Sequence, residues 1–135
     1  MNNSLIYMIN NGASSVLAGG IIPLTTIARR RCKCIQNDGN SIILNAAGYY
    51  KVNATITFTA PAAGAATIKL EKNGAAIPGF TGSTTITTAN TESRQIVLSG
   101  IVRVGCCESA VSLTLVNTGV AITTANVAID VEYLD

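Results

Sequence analysis

Four cysteines offer the most versatile chemistry in this chain of 135 residues. They form two close pairs, Cys32-Lys33-Cys34 and Cys106-Cys107. Structural zinc sites usually space each pair by two to four residues, so this spacing makes metal the least favoured interpretation. If both pairs lie in strands, Cys32 and Cys34 share a face while Cys106 and Cys107 point to opposite faces, and neither pair bonds internally with ease. Idle thiols, or a disulfide between the two sites or between subunits, remain open.

A run of basic residues, Arg29, Arg30, Arg31 and Lys33, surrounds the first cysteine and contains four of the nine basic residues. It could bind phosphates or an acidic protein surface, which makes it a candidate docking patch. The simpler interpretation is a strand edge that its charge protects from pairing. No aromatic residue is interleaved, and the net charge is only +2, so we expect no nucleic-acid or membrane partner.

The sequence contains no histidine, which removes the commonest general base and the commonest metal ligand. It also lacks a G-x-S-x-G motif and a glycine-rich phosphate loop. The acidic residues are scattered. Asp130 and Glu132 share a strand face that is more often solvated than catalytic. Calcium could bind through loop carbonyls with Asp38 or Asn37, although no EF-hand pattern supports such a site. We therefore expect no enzyme and no cofactor.

The composition, with 48% hydrophobic and 12% charged residues, predicts one compact domain over residues 1–135. Residues 1–18 would be an arm or a first strand. The mean hydropathy is +0.41, but no apolar run approaches the roughly 20 residues of a spanning helix. The first residues have neither the charge nor the apolar length of a signal peptide, so we do not expect secretion by that route. A chain this apolar and weakly charged would expose large apolar patches as a monomer, so we expect an oligomer.

The elements that position these residues are predicted to be strands, because alternation with a period of two recurs along the chain and helical periodicity does not. The clearest strand covers residues 49–60, and Asn73-Gly74 predicts a tight hairpin. Pro78-Gly79 is expected to end the return strand 75–77. Other predicted strands are 5–9, 20–28, 33–36, 41–44, 66–72, 94–104, 109–117 and 126–134, and the predicted loops are 60–66 and 82–91. This spacing indicates an all-β sandwich or barrel.

Four segments together resemble the trimeric jelly roll of the tumour necrosis factor and complement globular-head superfamily, in its bacterial and phage form. These are residues 20–24, 42–52 with a Gly-Tyr-Tyr-Lys-Val start to a long strand, 70–79 with a Leu-x-x-Asn-Gly hairpin, and the closing strand 127–133. The resemblance implies an antiparallel single-domain jelly roll that forms a homotrimer. It would explain why strand 94–104 is apolar on both faces. The candidate interface residues are Tyr49, Tyr50, Val97, Ile101 and Tyr133.

A free jelly roll without catalytic residues is similar to phage proteins that decorate a capsid or form head fibres. We therefore expect a virion structural protein, assembled in the host cytoplasm, whose partners are its own copies and other virion or fibre proteins. Two alternatives stay open. One is an adhesive tip that recognises surface glycans, although the absence of Trp leaves few stacking platforms. The other is a subunit of a cysteine-cross-linked appendage fibre on a cell or spore surface.

Overall fold

The computed structural model describes residues 4–31, 34–108 and 110–134, and these ranges contain eleven strands and no helix. The strands are β1 (Leu5–Asn10), β2 (Ser14–Val16), β3 (Thr26–Arg31), β4 (Ile35–Asp38), β5 (Ser41–Leu44), β6 (Gly48–Thr59), β7 (Gly64–Lys72), β8 (Ala75–Ile86), β9 (Arg94–Val104), β10 (Val111–Asn117) and β11 (Ile122–Tyr133). The all-β prediction is confirmed. Within the described ranges no helix is long and apolar enough to cross a membrane.

The strands form two antiparallel sheets that face each other across the core. The six-stranded sheet has the order β3-β1-β11-β6-β9, with the short β2 also pairing with β11. The five-stranded sheet has the order β4-β5-β10-β7-β8. Strands 5–10 and 122–133 pair directly, so the chain brings its first and last strands together at the middle of one sheet.

The core is built from the inward faces of both sheets, where residues alternate between buried and more exposed positions. In β6 the side chains of Val52, Ile56 and Phe58 are fully buried, as the period-two pattern predicts. Ile68 and Leu70 of β7 face them from the other sheet and are equally buried. Aliphatic side chains supply most of this core, which agrees with the low aromatic content of 4%.

The hairpin between β7 and β8 confirms the Asn73-Gly74 prediction, since both residues have positive φ, at 52° and 84°. The prediction that Pro78-Gly79 ends the return strand is wrong, because β8 continues to Ile86. β8 is an edge strand, where a proline deprives no neighbour of a hydrogen bond. The register shifts opposite this dipeptide, and Gly79 has a φ of 86°, so the strand passes it through a bulge.

The low-complexity segment 82–91 was expected to be a loop, yet its first five residues belong to β8. A Cβ atom at Gly82 would collide with the Ile96 side chain, so glycine lets the two sheets approach closely at their edges. Segment 20–28 also differs from its prediction. It contributes only a bridge at Ile21 and the start of β3, since Pro23 lies in the connection.

Asn117 is a fully buried polar residue that no sequence pattern indicated. Its side-chain amide donates to the carbonyl oxygens of Val16, Leu17 and Val120 at 3.3, 3.4 and 2.9 Å. Its side-chain oxygen accepts from the Gly119 N–H at 3.1 Å. One amide therefore joins the end of β2 and the residue after it to the turn between β10 and β11.

We expect Asn117→Ala to lower the free energy of unfolding by about 3 kcal/mol, because it leaves buried carbonyl groups without a donor. Urea denaturation followed by circular dichroism measures this loss. The control is Asn126→Ala, at an exposed position of β11, which should change stability by no more than about 0.5 kcal/mol. Equal stability of the two variants would show that the Asn117 hydrogen bonds are unimportant.

Candidate functional site

The outward surface of the six-stranded sheet is the main candidate interaction site, and we call it the outer face. Its residues lie opposite the buried positions of β1, β6, β9 and β11. They are Tyr7, Tyr49, Lys51, Asn53, Thr55, Val97, Ser99, Ile101, Arg103, Ala128, Asp130 and Glu132. No other element of the described chain pairs with β9 on its free side, so this face ends in an open edge.

Strand β9 carries apolar residues on both of its faces, as predicted. Its inward residues Leu98 and Val102 are buried, whereas Val97 and Ile101 on the outer face are 60% and 52% exposed. The chain itself therefore does not cover the second apolar face. Large exposed aliphatic side chains at this density on one edge strand are typical of a surface that another chain covers.

A row of polar side chains crosses the outer face between Val97 and Ile101. The Ser99 hydroxyl donates to the Asn53 side-chain oxygen at 2.6 Å, and the Asn53 amide donates to the Asp130 carboxylate at 3.4 Å. The three residues are direct neighbours on β9, β6 and β11. These contacts hold the side chains in fixed positions, which gives the outer face a defined shape between its two apolar residues.

The three tyrosines predicted at an interface occupy different environments. Tyr49 is 49% exposed on the outer face, but Tyr50 has no exposed surface and donates to the Ala46 carbonyl at 2.5 Å. Burial also raises the pKa of Tyr50. Tyr133 is half-buried and packs edge-on against Tyr50, with ring centroids 5.1 Å apart. Tyr50 must therefore be removed from the candidate interface, because period-two alternation turns it into the core of its own chain.

A groove of about 270 Å³ adjoins Ile101 between β8 and β9. Ile77, Pro78 and Ile101 supply its apolar walls, and Lys72 and Arg103 lie at its margin. Lys72 is held by Glu108 at 3.1 Å and donates to the Arg103 carbonyl at 2.8 Å. The groove thus extends the apolar part of the outer face around the edge of the sandwich.

The arginines of the basic run lie on β3, the other edge strand of the six-stranded sheet. Arg29, Arg30 and Arg31 are all exposed there. Lys33 and Cys32 lie outside the described residues. Positive charge along an edge strand is typical of an edge protected from pairing, and the docking interpretation stays a prediction.

The second cysteine pair lies in a turn and not in a strand. Cys106 and Cys107 follow β9 and are both exposed, with their sulfur atoms 3.6 Å apart. The expectation that adjacent cysteines point to opposite faces is therefore wrong, because strand geometry ends at Val104. Cys34 is half-buried, and the three described cysteines are all free. Among the described residues no group of three or more His, Cys, Asp or Glu side chains could hold a metal ion.

A carboxylate fixes this turn. The Gly105 N–H donates to a Glu108 carboxylate oxygen at 2.7 Å, and Lys72 contacts the same carboxylate at 3.1 Å. The Gly105 hydrogen bond and the Lys72 charge together lower the pKa of Glu108. The stability that this contact contributes is therefore fully present above the ordinary pKa of a glutamate. It is lost as the pH falls through the lowered pKa of Glu108.

The remaining acidic candidates do not converge on a site. Asn37 donates its amide to the Gly39 carbonyl at 2.6 Å, which stabilises the β4–β5 turn next to Asp38. Asp130 accepts a hydrogen bond from Asn53, and Glu132 is exposed on the outer face. In the portion of the chain that the structure describes, these side chains serve turns and sheet surface.

No model of a protein family matches the sequence, and no curated protein matches it. Solved structures, in contrast, match over almost the whole chain. Murine APRIL superimposes with a TM-score of 0.73 at 11% identity, covering 98% of this chain and 100% of that one. The fold is a jelly roll. The globular domain of zebrafish complement 1qA shares this jelly roll with a TM-score of 0.70 at 7% identity and 98% coverage of both chains.

The vertex protein P5 of PRD1, a phage, has the same jelly roll with a TM-score of 0.61 at 11% identity. That match covers 98% of this chain and 97% of the other. Identities this low establish the fold alone. The predicted resemblance to the tumour necrosis factor and complement globular heads is thus confirmed for the jelly roll.

Proposed function

We propose that this jelly roll is a non-enzymatic structural component of a phage virion. It self-associates as a homotrimer and decorates the capsid or forms a head fibre. The outer face carries the proposal, because Val97, Ile101 and Tyr49 expose about half or more of their side chains on one sheet surface. Such a surface works by contact with another chain and not by chemistry at a bound substrate.

A second copy of this chain is the occupant that fits the outer face. Its strands carry complementary charge, since the exposed arginines of β3 lie at one edge and Asp130 and Glu132 lie on the central β11. A copy rotated about a symmetry axis brings one edge of the sheet against another part of the same face. Head-to-tail contacts of this kind close into rings when the rotation allows it. The trimeric jelly rolls that the sequence resembles favour a three-membered ring.

The virion assignment has separate support. A vertex protein of a phage has the same fold over almost the whole chain. In this proposal the protein assembles in the host cytoplasm and remains on the particle. Its other partners are the proteins of the capsid or fibre to which it attaches.

Electron microscopy of the native particle, with mass measurement of the purified protein, tests the proposal. We expect a native mass of three chains and three-fold knobs on capsids or fibres that antibodies against the chain label. A monodisperse monomer would contradict the self-association. Binding on a glycan array without any labelled particle would favour an adhesive tip, and detergent-resistant filaments that dissolve only with reductant would favour a cross-linked appendage.

The exposed arginines of β3 supply a test of attachment. We expect Arg29→Gln with Arg30→Gln to abolish attachment to the particle, because the docking interpretation assigns these charges to an acidic capsid surface. Occupancy is measured by co-sedimentation of purified trimer with particles that lack the protein. Lys69→Gln, on the five-stranded sheet, is the control for the loss of positive charge. Unchanged occupancy of the arginine variant would leave these residues as edge protection only.

A further inference from the structure

The exposed turn after β9 places two thiols in contact within one chain. Cys106 and Cys107 are sequence neighbours, their sulfur atoms are 3.6 Å apart, and both side chains are exposed. The turn is closed by the Glu108 N–H, which donates to the Gly105 carbonyl at 3.1 Å. The pair is therefore accessible to small reagents and already arranged on one side of the turn.

We propose that Cys106 and Cys107 form a reversible thiol–disulfide couple that is oxidised by a low-molecular-weight disulfide of the glutathione class. One cysteine thiolate attacks the glutathione disulfide, which forms a mixed disulfide and releases one glutathione thiolate. The second cysteine thiolate then attacks the protein sulfur of that mixed disulfide and releases the second glutathione. Two protein thiols are oxidised and one glutathione disulfide is reduced to two thiols, so electrons and atoms balance.

The second step is favoured by proximity, because the attacking sulfur is already beside its target. An intramolecular reaction between groups held in contact competes well with attack by a second glutathione molecule or by another chain. Strand geometry would have placed the two sulfurs on opposite faces, whereas the turn that begins after Val104 removes this obstacle.

The disulfide between Cys106 and Cys107 should also be easy to reduce. Neighbouring Cα atoms are about 3.8 Å apart across a trans peptide, which is shorter than the separation of about 4.4–6.8 Å found in most disulfides. A strained disulfide has a higher reduction potential and is the labile kind. The pair is therefore a modification site that responds to the ratio of thiol to disulfide in its surroundings, and not a permanent cross-link.

Mass spectrometry of tryptic peptides tests this proposal on the intact folded protein. Trypsin separates the cysteines cleanly, since Cys34 falls in peptide 34–51 while Cys106 and Cys107 share peptide 104–135. The protein is incubated with glutathione disulfide, its free thiols are alkylated, and it is then digested. We expect peptide 104–135 to lose two hydrogens and to take up no alkyl group, and dithiothreitol to reverse this change.

Variants that lack one cysteine distinguish a disulfide between Cys106 and Cys107 from a mixed disulfide with glutathione. Cys106→Ser and Cys107→Ser should each retain one glutathione on peptide 104–135, because the second step has lost its thiol. Cys34→Ser is the matched control and should oxidise at the pair as the unmodified protein does. Two glutathiones on peptide 104–135 of the unmodified protein, or peptides linked between chains, would overturn the proposal.

Phenylarsine oxide provides a second measurement that does not depend on oxidation. It forms two arsenic–sulfur bonds with a close pair of thiols and releases its oxygen as water with the two thiol protons. We expect one arsenical on peptide 104–135, protection of the pair from later oxidation, and no arsenical on that peptide in either single variant. Absence of the adduct in the unmodified protein would contradict the contact between the two thiols.

Discussion

Ile101→Asp is expected to release monomers from the proposed homotrimer while each chain stays folded. Ile101 is 52% exposed within its own chain, so the substitution removes little from the core. In the assembly it would place an unpaired carboxylate at a contact between subunits. A penalty of about 4 kcal/mol for such a buried charge weakens each contact by about a thousandfold. Sedimentation velocity at micromolar protein measures the shift from three chain masses to one.

The control for this variant adds the same charge elsewhere. Thr85→Asp lies at an exposed position of β8 in the other sheet and should leave the assembly unchanged. Circular dichroism should show the same strand content in both variants and in the unmodified protein. A trimer that survives Ile101→Asp would place the subunit contact on a face other than the outer face.

Gly48→Ala should strongly lower the free energy of unfolding, because the added methyl group has no room at the start of β6. Gly48 has a φ of 140°, and a Cβ atom there would lie 2.6 Å from both Cε1 and the hydroxyl oxygen of Tyr133. The unfavourable backbone conformation and the steric overlap together cost about 4 kcal/mol. The Tyr133 ring would move and lose the hydrogen bond that its hydroxyl donates to the Ala47 carbonyl at 3.0 Å. Urea denaturation measures the loss.

Two further variants separate the backbone effect from the steric effect. Gly39 has a φ of 62°, and no atom lies within 4 Å of a Cβ added there. Gly39→Ala should therefore lower the free energy of unfolding by only about 1 kcal/mol. Gly48→Ala combined with Tyr133→Ala should be less destabilising than the sum of the two single changes, because removing the ring relieves the overlap. Strict additivity would show that Gly48 is required for its backbone alone.

The sequence was most informative where a strand has one buried face. The alternation in β6 and β9 predicted their extents to within one or two residues, because burial imposes the same period on sequence and structure. The same alternation contained the information that Tyr50 is buried, since it shares a face with Val52. Its placement at an interface followed from the family resemblance and ignored that periodicity.

Other features depend on contacts that no local pattern carries. The path of β8 past Pro78 depends on its position at a sheet edge, which only the strand order reveals. The role of Asn117 depends on carbonyl groups about a hundred positions earlier in the chain. Both features were missed because they depend on long-range geometry. The expectation for Cys106 and Cys107 was wrong for another reason, since the predicted end of β9 at Val104 already placed both residues outside the strand.

The strand order also constrains how the protein folds. Strand β11 pairs with both β1 and β6, so Val131 lies opposite Ile6, which precedes it by more than a hundred residues. Until β11 is in place, β1 and β6 each present an unpaired edge. Pairings over such long loops form slowly, and open edges accept strands from other molecules. A newly made chain can therefore receive β11 from a neighbour, which makes exchange of this strand between chains the characteristic folding hazard of this topology.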